Sequence, residues 1–145
     1  EKIEYNLPYP GILPDHPLYF FKKTRDKLLE MTTRDSMKKA ELYLLFSDKK
    51  IAMAMNLAKN GKDKTAITSL AEAEQYFSQI PDLVKTSEKQ GVSPTADFLA
   101  RLKLSNSKHK EVGNSLLRDL PQNFSGEINK SLDLNRKLKL ELEKL

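Results

Sequence analysis

Four Ser-Lys pairs stand one helical turn apart, at Ser36/Lys39, Ser47/Lys50, Ser105/Lys108 and Ser107/Lys110. In some serine acyl enzymes this spacing sets a nucleophilic hydroxyl beside an amine that takes its proton. Such enzymes also carry a Lys-Thr-Gly motif and an oxyanion hole, and the sequence has neither motif. Lys and Ser are so common in this chain that pairs at this spacing arise by chance on polar helix faces.

The only histidines are His16 and His109. A zinc site takes three or four N, S or O ligands, and no His-Glu-x-x-His pattern is present. His109 falls between Leu102 and Val112 in an apolar stripe. It reads as a partly buried, hydrogen-bonded side chain against helix two or five, its neutral form favoured by desolvation. His16, in Asp15-His16-Pro17, reads as part of a helix cap. There is no Gly-rich phosphate loop, paired-carboxylate motif or EF-hand loop. The basic run Lys22, Lys23, Arg25, Lys27 is broken by Asp26 and faced by Glu30, which suits a solvated helix face rather than a nucleic-acid patch. No catalytic, cofactor or metal residue is therefore assigned, and the ligand is unknown.

The elements that would position these residues are helices. Residues 1–16 contain Pro8, Pro10 and Pro14, each lacking an N–H and pushing its predecessor toward extended geometry. Leu7, Tyr9, Ile12 and Leu13 between them are too apolar for an idle tail. They predict an ordered strap, with Ile12 and Leu13 buried and a tight turn at Gly11. Helix one is predicted from Pro17 to Thr32-Thr33, with Leu18, Phe21, Leu28 and Met31 on its packed side. Helix two runs from about Ser36 to Asn60, with Met37, Ala40, Leu44, Ile51, Ala54 and Ala58 as a stripe widened by Leu45, Met55 and Leu57. Gly61 sits at a left-handed C-cap, and Asp63 caps the next helix.

Helix three, toward Lys89, carries Ala66, Leu70, Ala73, Phe77, Ile80 and Val84; Pro81 inside it predicts a kink or break. Ser93-Pro94 opens a fourth helix to about Leu120, with Phe98, Leu102, Val112, Leu116 and Leu120. After Pro121, the Asn123–Ser125 stretch caps a fifth helix to Leu145, with Ile128, Leu132, Leu138 and Leu142 inward. The expected fold is all-α: an antiparallel bundle of about five helices over residues 17–145, forming a single domain behind the strap. More than about two-thirds of the chain should be helical. Gly61, Ala66 and Ala73 have the small-residue spacing of a tetratricopeptide-like hairpin, but no 34-residue repeat flanks them.

Charge and composition narrow the function classes. The 145-residue chain has a net charge of +5 and a pI near 9.3. Residues 36–62 carry a net +4 and residues 63–91 a net −2. Opposite signs on consecutive helices suit an antiparallel pair, not a continuous phosphate-binding stripe, so no nucleic-acid partner is expected. With no Cys, disulfides and thiolate metal sites are excluded. No apolar run approaches the roughly 20 residues of a membrane span. The chain begins at Glu1 rather than Met, which reads as a processed fragment.

The stretch Pro10-Gly11-x-Leu13-Pro14-Asp15-x-Pro17-Leu18-Tyr19-x-x-Lys22 resembles the opening signature of a bacterial family, domain of unknown function 5667. Lys39-Ala40-Glu41-Leu42, Ser47-Asp48-Lys49-Lys50 and Ile51-Ala52 resemble the family's charged second helix. Met53-Ala54 departs from the Glu often found there, and the resemblance fades after Phe77. It implies an exported helical domain, extracytoplasmic and either secreted or anchored through a segment outside this chain. It also implies another envelope protein as partner and carries over no catalytic residues. Some relatives are attached to anti-sigma-like regulators, so the resemblance implies envelope sensing. The expectation is a non-enzymatic extracytoplasmic interaction or sensing domain. A tetratricopeptide-like adaptor is the alternative, and a cell-envelope hydrolase using one of the Ser-Lys pairs the third reading.

Overall fold

A computed structural model describes residues 2–145; Glu1, the first residue of the expected strap, lies outside them. The fold is a helical bundle in which 76% of the residues are helical, above the two-thirds expected. Among the described residues six α-helices follow in order: α1 (Tyr19–Thr32), α2 (Ser36–Lys59), α3 (Asp63–Ser78), α4 (Ile80–Lys89), α5 (Ala96–Asp119) and α6 (Ser125–Leu142). A single 3-10 turn, Gln122–Phe124, precedes α6.

The sixth helix arises where Pro81 falls in the helix-three pattern. Pro81 has no N–H to give to the carbonyl of Phe77, and its ring crowds that carbonyl. The chain pauses at Gln79 and restarts at Ile80, with Pro81 in the first turn of α4. Ile80 and Val84 still reach the core. The turn between α2 and α3 is set by Gly61, whose φ of +74° is left-handed. Gly61 N–H donates to Ala58 O and Lys62 N–H to Leu57 O, closing the carbonyls at the end of α2. The α5 start is two residues later than Ser93-Pro94 predicts: Thr95 is the cap, its hydroxyl oxygen accepting from Phe98 N–H at 3.0 Å. Asp63 lies in the first turn of α3 rather than at its cap.

α2 packs along α3, α5 along α6, and α2 and α3 reach α5 and α6 respectively. Two apolar clusters fill the space between them. One joins Leu44, Phe46, Phe77, Val84, Phe98, Leu102 and Leu138; the other joins Ile51, Ala54, Leu70, Val112, Leu116, Ile128 and Leu132. α2 is buried on several sides, as its widened stripe predicts, although Leu45 itself is exposed.

Two expectations fail in the N-terminal part. Ile12 and Leu13 are half-exposed rather than buried; Pro10 is the buried residue of that stretch. The reason is that the Lys22 amine reaches under the segment and donates to the carbonyls of Pro10 and Ile12. Gly11, with φ of +76°, makes the turn there. Leu7 and Leu13 pack at the edges of the core, and Ile3 N–H donates to Glu111 Oε2 at 3.2 Å. Helix one departs more sharply. Leu18, Phe21, Leu28 and Met31, expected to face the core, are all exposed. The least exposed positions are Tyr19, Lys22, Asp26 and Glu30. They recur at steps of three and four and so form the face turned to the body. Tyr19 accepts from Lys50 Nζ at 2.9 Å, and Glu30 Oε1 accepts from Tyr43 Oη at 2.9 Å. α1 is thus amphipathic with its polar side inward.

Candidate functional site

Between the two apolar clusters lies a layer of polar side chains, one or more from each of four helices. On α2, Asp48 interrupts the sequence between Leu44 and Ile51. On α3, Glu74 stands between Leu70 and Phe77; on α5, Ser105, Asn106 and His109 stand between Leu102 and Val112; on α6, Asn135 stands between Leu132 and Leu138. Each is in helical phase with its apolar neighbours and is therefore turned inward with them. All six are buried.

His109 is the centre. Its Nδ1 donates to Glu74 Oε1 at 2.8 Å and its Nε2 to Asp48 Oδ1 at 2.8 Å. The Ser105 hydroxyl donates to the same Asp48 oxygen at 2.6 Å and lies 3.2 Å from Nε2. The other Asp48 oxygen accepts from Tyr5 Oη, brought in by the N-terminal segment. Asn106 and Asn135 exchange side-chain-to-backbone bonds across α5 and α6 at 3.2 and 3.0 Å, and Asn135 also lies 3.5 Å from Glu74 Oε2. The Phe77 ring meets the imidazole edge-on at 5.5 Å. Among the described residues no buried side-chain N or O lacks a partner, which is what a polar layer inside a core requires.

Electrostatics decide the protonation of this centre. Burial alone lowers the His109 value, but the Glu74 and Asp48 carboxylates on either side outweigh it and hold it up at about 9. The expectation of a half-buried neutral imidazole is thus corrected on both counts. His109 is fully enclosed, and two carboxylates keep it charged. The Tyr5 hydroxyl is pushed up by burial and by its bond to Asp48.

Ser105, His109 and Glu74 have the connectivity of a nucleophile, base and orienting acid. The charge and burial of His109 oppose that use. A base needs a free lone pair on the imidazole, and both nitrogens here carry protons committed to carboxylates. Side-chain exposure is 0% for His109, 4% for Asp48 and 2% for Glu74, so nothing outside can reach the cluster. Nor does Ser47 pair with Lys50, or Ser105 with Lys108. Ser47 donates to Leu44 O, while Lys50 pairs with Glu72 at 2.8 Å. Lys108 pairs with Glu111 at 2.8 Å, while the Ser105 hydroxyl donates to Asp48. Lys39 lies over the Tyr43 ring, and Lys110 is exposed. α1 begins at Tyr19, two residues after Pro17, and Leu18 occupies its N-cap without a side-chain cap bond; His16 instead accepts from Leu18 N–H at 3.0 Å, one turn ahead of the helix. Among the described residues no group of three or more His, Asp or Glu side chains is placed to hold a metal ion; in the His109 cluster both ring nitrogens already face carboxylates.

The second candidate is on the surface. Phe20, Phe21 and Met31 on α1 are 70%, 68% and 70% exposed. Lys23, Arg25 and Lys27 flank them, also exposed. Burial lowers the Lys22 amine to about 8; Asp26 opposes this, and Lys49, Lys50 and Arg25 reinforce it.

Residues 11–123 match the family described as Domain of unknown function (DUF5667). The chain belongs to this family. The match takes in the Gly11-to-Lys22 signature and runs well past Phe77, through α5, so it spans the positions of Asp48, Glu74, Ser105 and His109. No curated protein and no solved structure matches the chain. No described helix is long and apolar enough to cross a membrane.

Proposed function

We propose that this DUF5667 chain is a non-enzymatic extracytoplasmic interaction or sensing domain, with the outward face of α1 as its working surface. One observation carries the reading: α1 turns the polar heads of Tyr19, Lys22, Asp26 and Glu30 to the body and Phe20, Phe21 and Met31 to solvent. A helix that only completed a core would be arranged the other way. An exposed apolar patch rimmed by polar residues is a mark of an interaction site. The enclosed, charged state of His109 supports a structural rather than catalytic use of the buried cluster. The placement outside the cytoplasm rests on the family resemblance.

The chain has no Cys, so Thr24→Cys on the outward face of α1 introduces a unique attachment point for an environment-sensitive dye. Adding membranes isolated from a bacterial envelope should shift the dye emission toward the blue. Phe20→Ser/Phe21→Ser should abolish that shift. An unchanged spectrum with envelope membranes would reject the reading.

A further inference from the structure

The outward face of α1 has a composition that selects among partners. Phe20 and Phe21 stand side by side with ring centroids 5.8 Å apart, in an edge-on pair. Met31 lies three turns further along the same side, with the small Thr24 between. Lys23 and Lys27 border one edge of this strip and Arg25 the other, by their place on the helical wheel. Lys49 of α2 stands beside Arg25 at the rim of α1, where both line the same groove. The two acids of the helix do not share this face. Asp26 and Glu30 are turned to the body, where Glu30 is occupied by the Tyr43 hydroxyl. Arg25 and Lys27 do touch these acids, at 3.5 and 3.8 Å, but project past them into solvent.

Building on the α1 reading above, we propose that this face docks on the surface of a bilayer containing anionic lipid, with α1 lying in the interfacial plane. A strip of Phe and Met, bordered by Lys and Arg and free of acids, fits this setting. The rings enter the boundary between headgroup and acyl chain while the amines and guanidinium meet phosphate. A second copy of the chain is the poorer occupant. A symmetric contact through this strip would bring two sets of the same basic residues together, and like charges repel. The affinity has two separable parts. The apolar part comes from Phe20 and Phe21 and does not depend on lipid charge. The electrostatic part comes from Lys23, Arg25 and Lys27 and falls as salt screens it.

The test uses the dye-labelled Thr24→Cys chain with two kinds of vesicle, phosphatidylcholine alone and an equimolar mixture with phosphatidylglycerol. The mixed vesicles should shift the emission to the blue and bind at least about tenfold more tightly than the neutral ones, with affinity falling as salt is added. Lys23→Gln/Lys27→Gln should weaken binding to the mixed vesicles by about thirtyfold and leave binding to neutral vesicles unchanged. Phe20→Ser/Phe21→Ser should lower binding to both. All four side chains are exposed, so both variants should melt as the parent does. Equal affinity for the two vesicles, or insensitivity to the Phe substitutions, would overturn the proposal. So would light scattering that shows a dimer lost in the Phe variant, because a second copy would then cover the strip. A shift with envelope membranes but none with lipid vesicles would overturn the lipid partner while leaving α1 as the working surface.

Discussion

The charged state of His109 makes stability depend on pH in a direction opposite to that of a neutral buried histidine. The unfolded value is 6.5 and the folded value about 9. Below 6.5 both states hold the proton, and the carboxylate contacts contribute in full. Between the two values the unfolded chain loses its proton first, so stability falls by about 1.4 kcal/mol for each pH unit. Above 9 the contribution, about 3 kcal/mol in total, is gone. Lys22 acts in the opposite sense, because its folded value of about 8 lies below 10.5. It costs stability at lower pH and releases that cost as pH rises through 8 to 10.5, so the profile is best compared in a Lys22→Met background. The half-buried Tyr5 and the buried Tyr43, both pushed up, add a further loss once unfolded tyrosines ionise, near pH 10. The perturbation is His109→Leu. It leaves Asp48 and Glu74 buried without their cation and should cost about 3–5 kcal/mol at low pH. It should also flatten the decline between pH 6.5 and 9. Urea unfolding followed by circular dichroism gives both quantities. A wild-type profile that is flat across this window, or an NMR titration placing the His109 imidazole at or below 6.5, would refute the reasoning.

Tyr5→Phe withdraws a donor from the buried Asp48 carboxylate and should lower stability by about 1–3 kcal/mol in the same urea assay. Deleting residues 1–14 removes that bond, the Ile3–Glu111 contact and the packing of Leu7 and Leu13. Its melting temperature should fall well below that of Tyr5→Phe, and equal melting of the full and shortened chains would reject a stabilising role for the segment. Gly61→Ala forces a side chain into a left-handed backbone with no atom within 4 Å of the new Cβ, so only the backbone cost of about 1–2 kcal/mol should appear on urea unfolding. Gly113→Leu should cost about 1–3 kcal/mol by thermal melting, because a Cβ at Gly113 would already sit 2.7 Å from Leu132 Cδ2 between α5 and α6.

The bundle was legible because burial follows period. Ala66, Leu70, Ala73, Phe77, Ile80 and Val84 share one helical spacing, and all six are buried. Pro81 announced its own break for a purely local reason. The polar layer was half legible. His109 stood out because histidines are rare here, but Asp48, Glu74, Ser105 and Asn135 are of common types. Their signal was phase: each replaces an apolar residue in its own stripe, at the same level of the bundle. That shared level is a property of the packed helices and is not visible along one chain. Charge state followed from the same gap, since desolvation of His109 could be inferred from its stripe but its two carboxylates come from helices far away in sequence. α1 misled for a different reason. Periodicity identifies an apolar face but not which way it points, and Leu18, Phe21, Leu28 and Met31 form a true stripe turned to solvent. Its direction is set by Tyr19 and Glu30, whose hydroxyl and carboxylate find Lys50 and Tyr43.

The bond from Ile3 N–H to Glu111 joins residues 108 apart. On a ribosome adding about 5–20 residues per second, Glu111 is made roughly 5–20 s after Ile3. His109, without which Asp48 has no cation, arrives almost as late. The N-terminal segment therefore leaves the ribosome early and must wait through nearly the whole of synthesis for its seat. The α2–α3 hairpin can close in the meantime, but the polar layer cannot be completed until α5 and then α6 have emerged. Until then Asp48 and Glu74 are two like charges facing a half-built interior, which weakens the closed hairpin. The layer delays final closure of the core until the last helix is available.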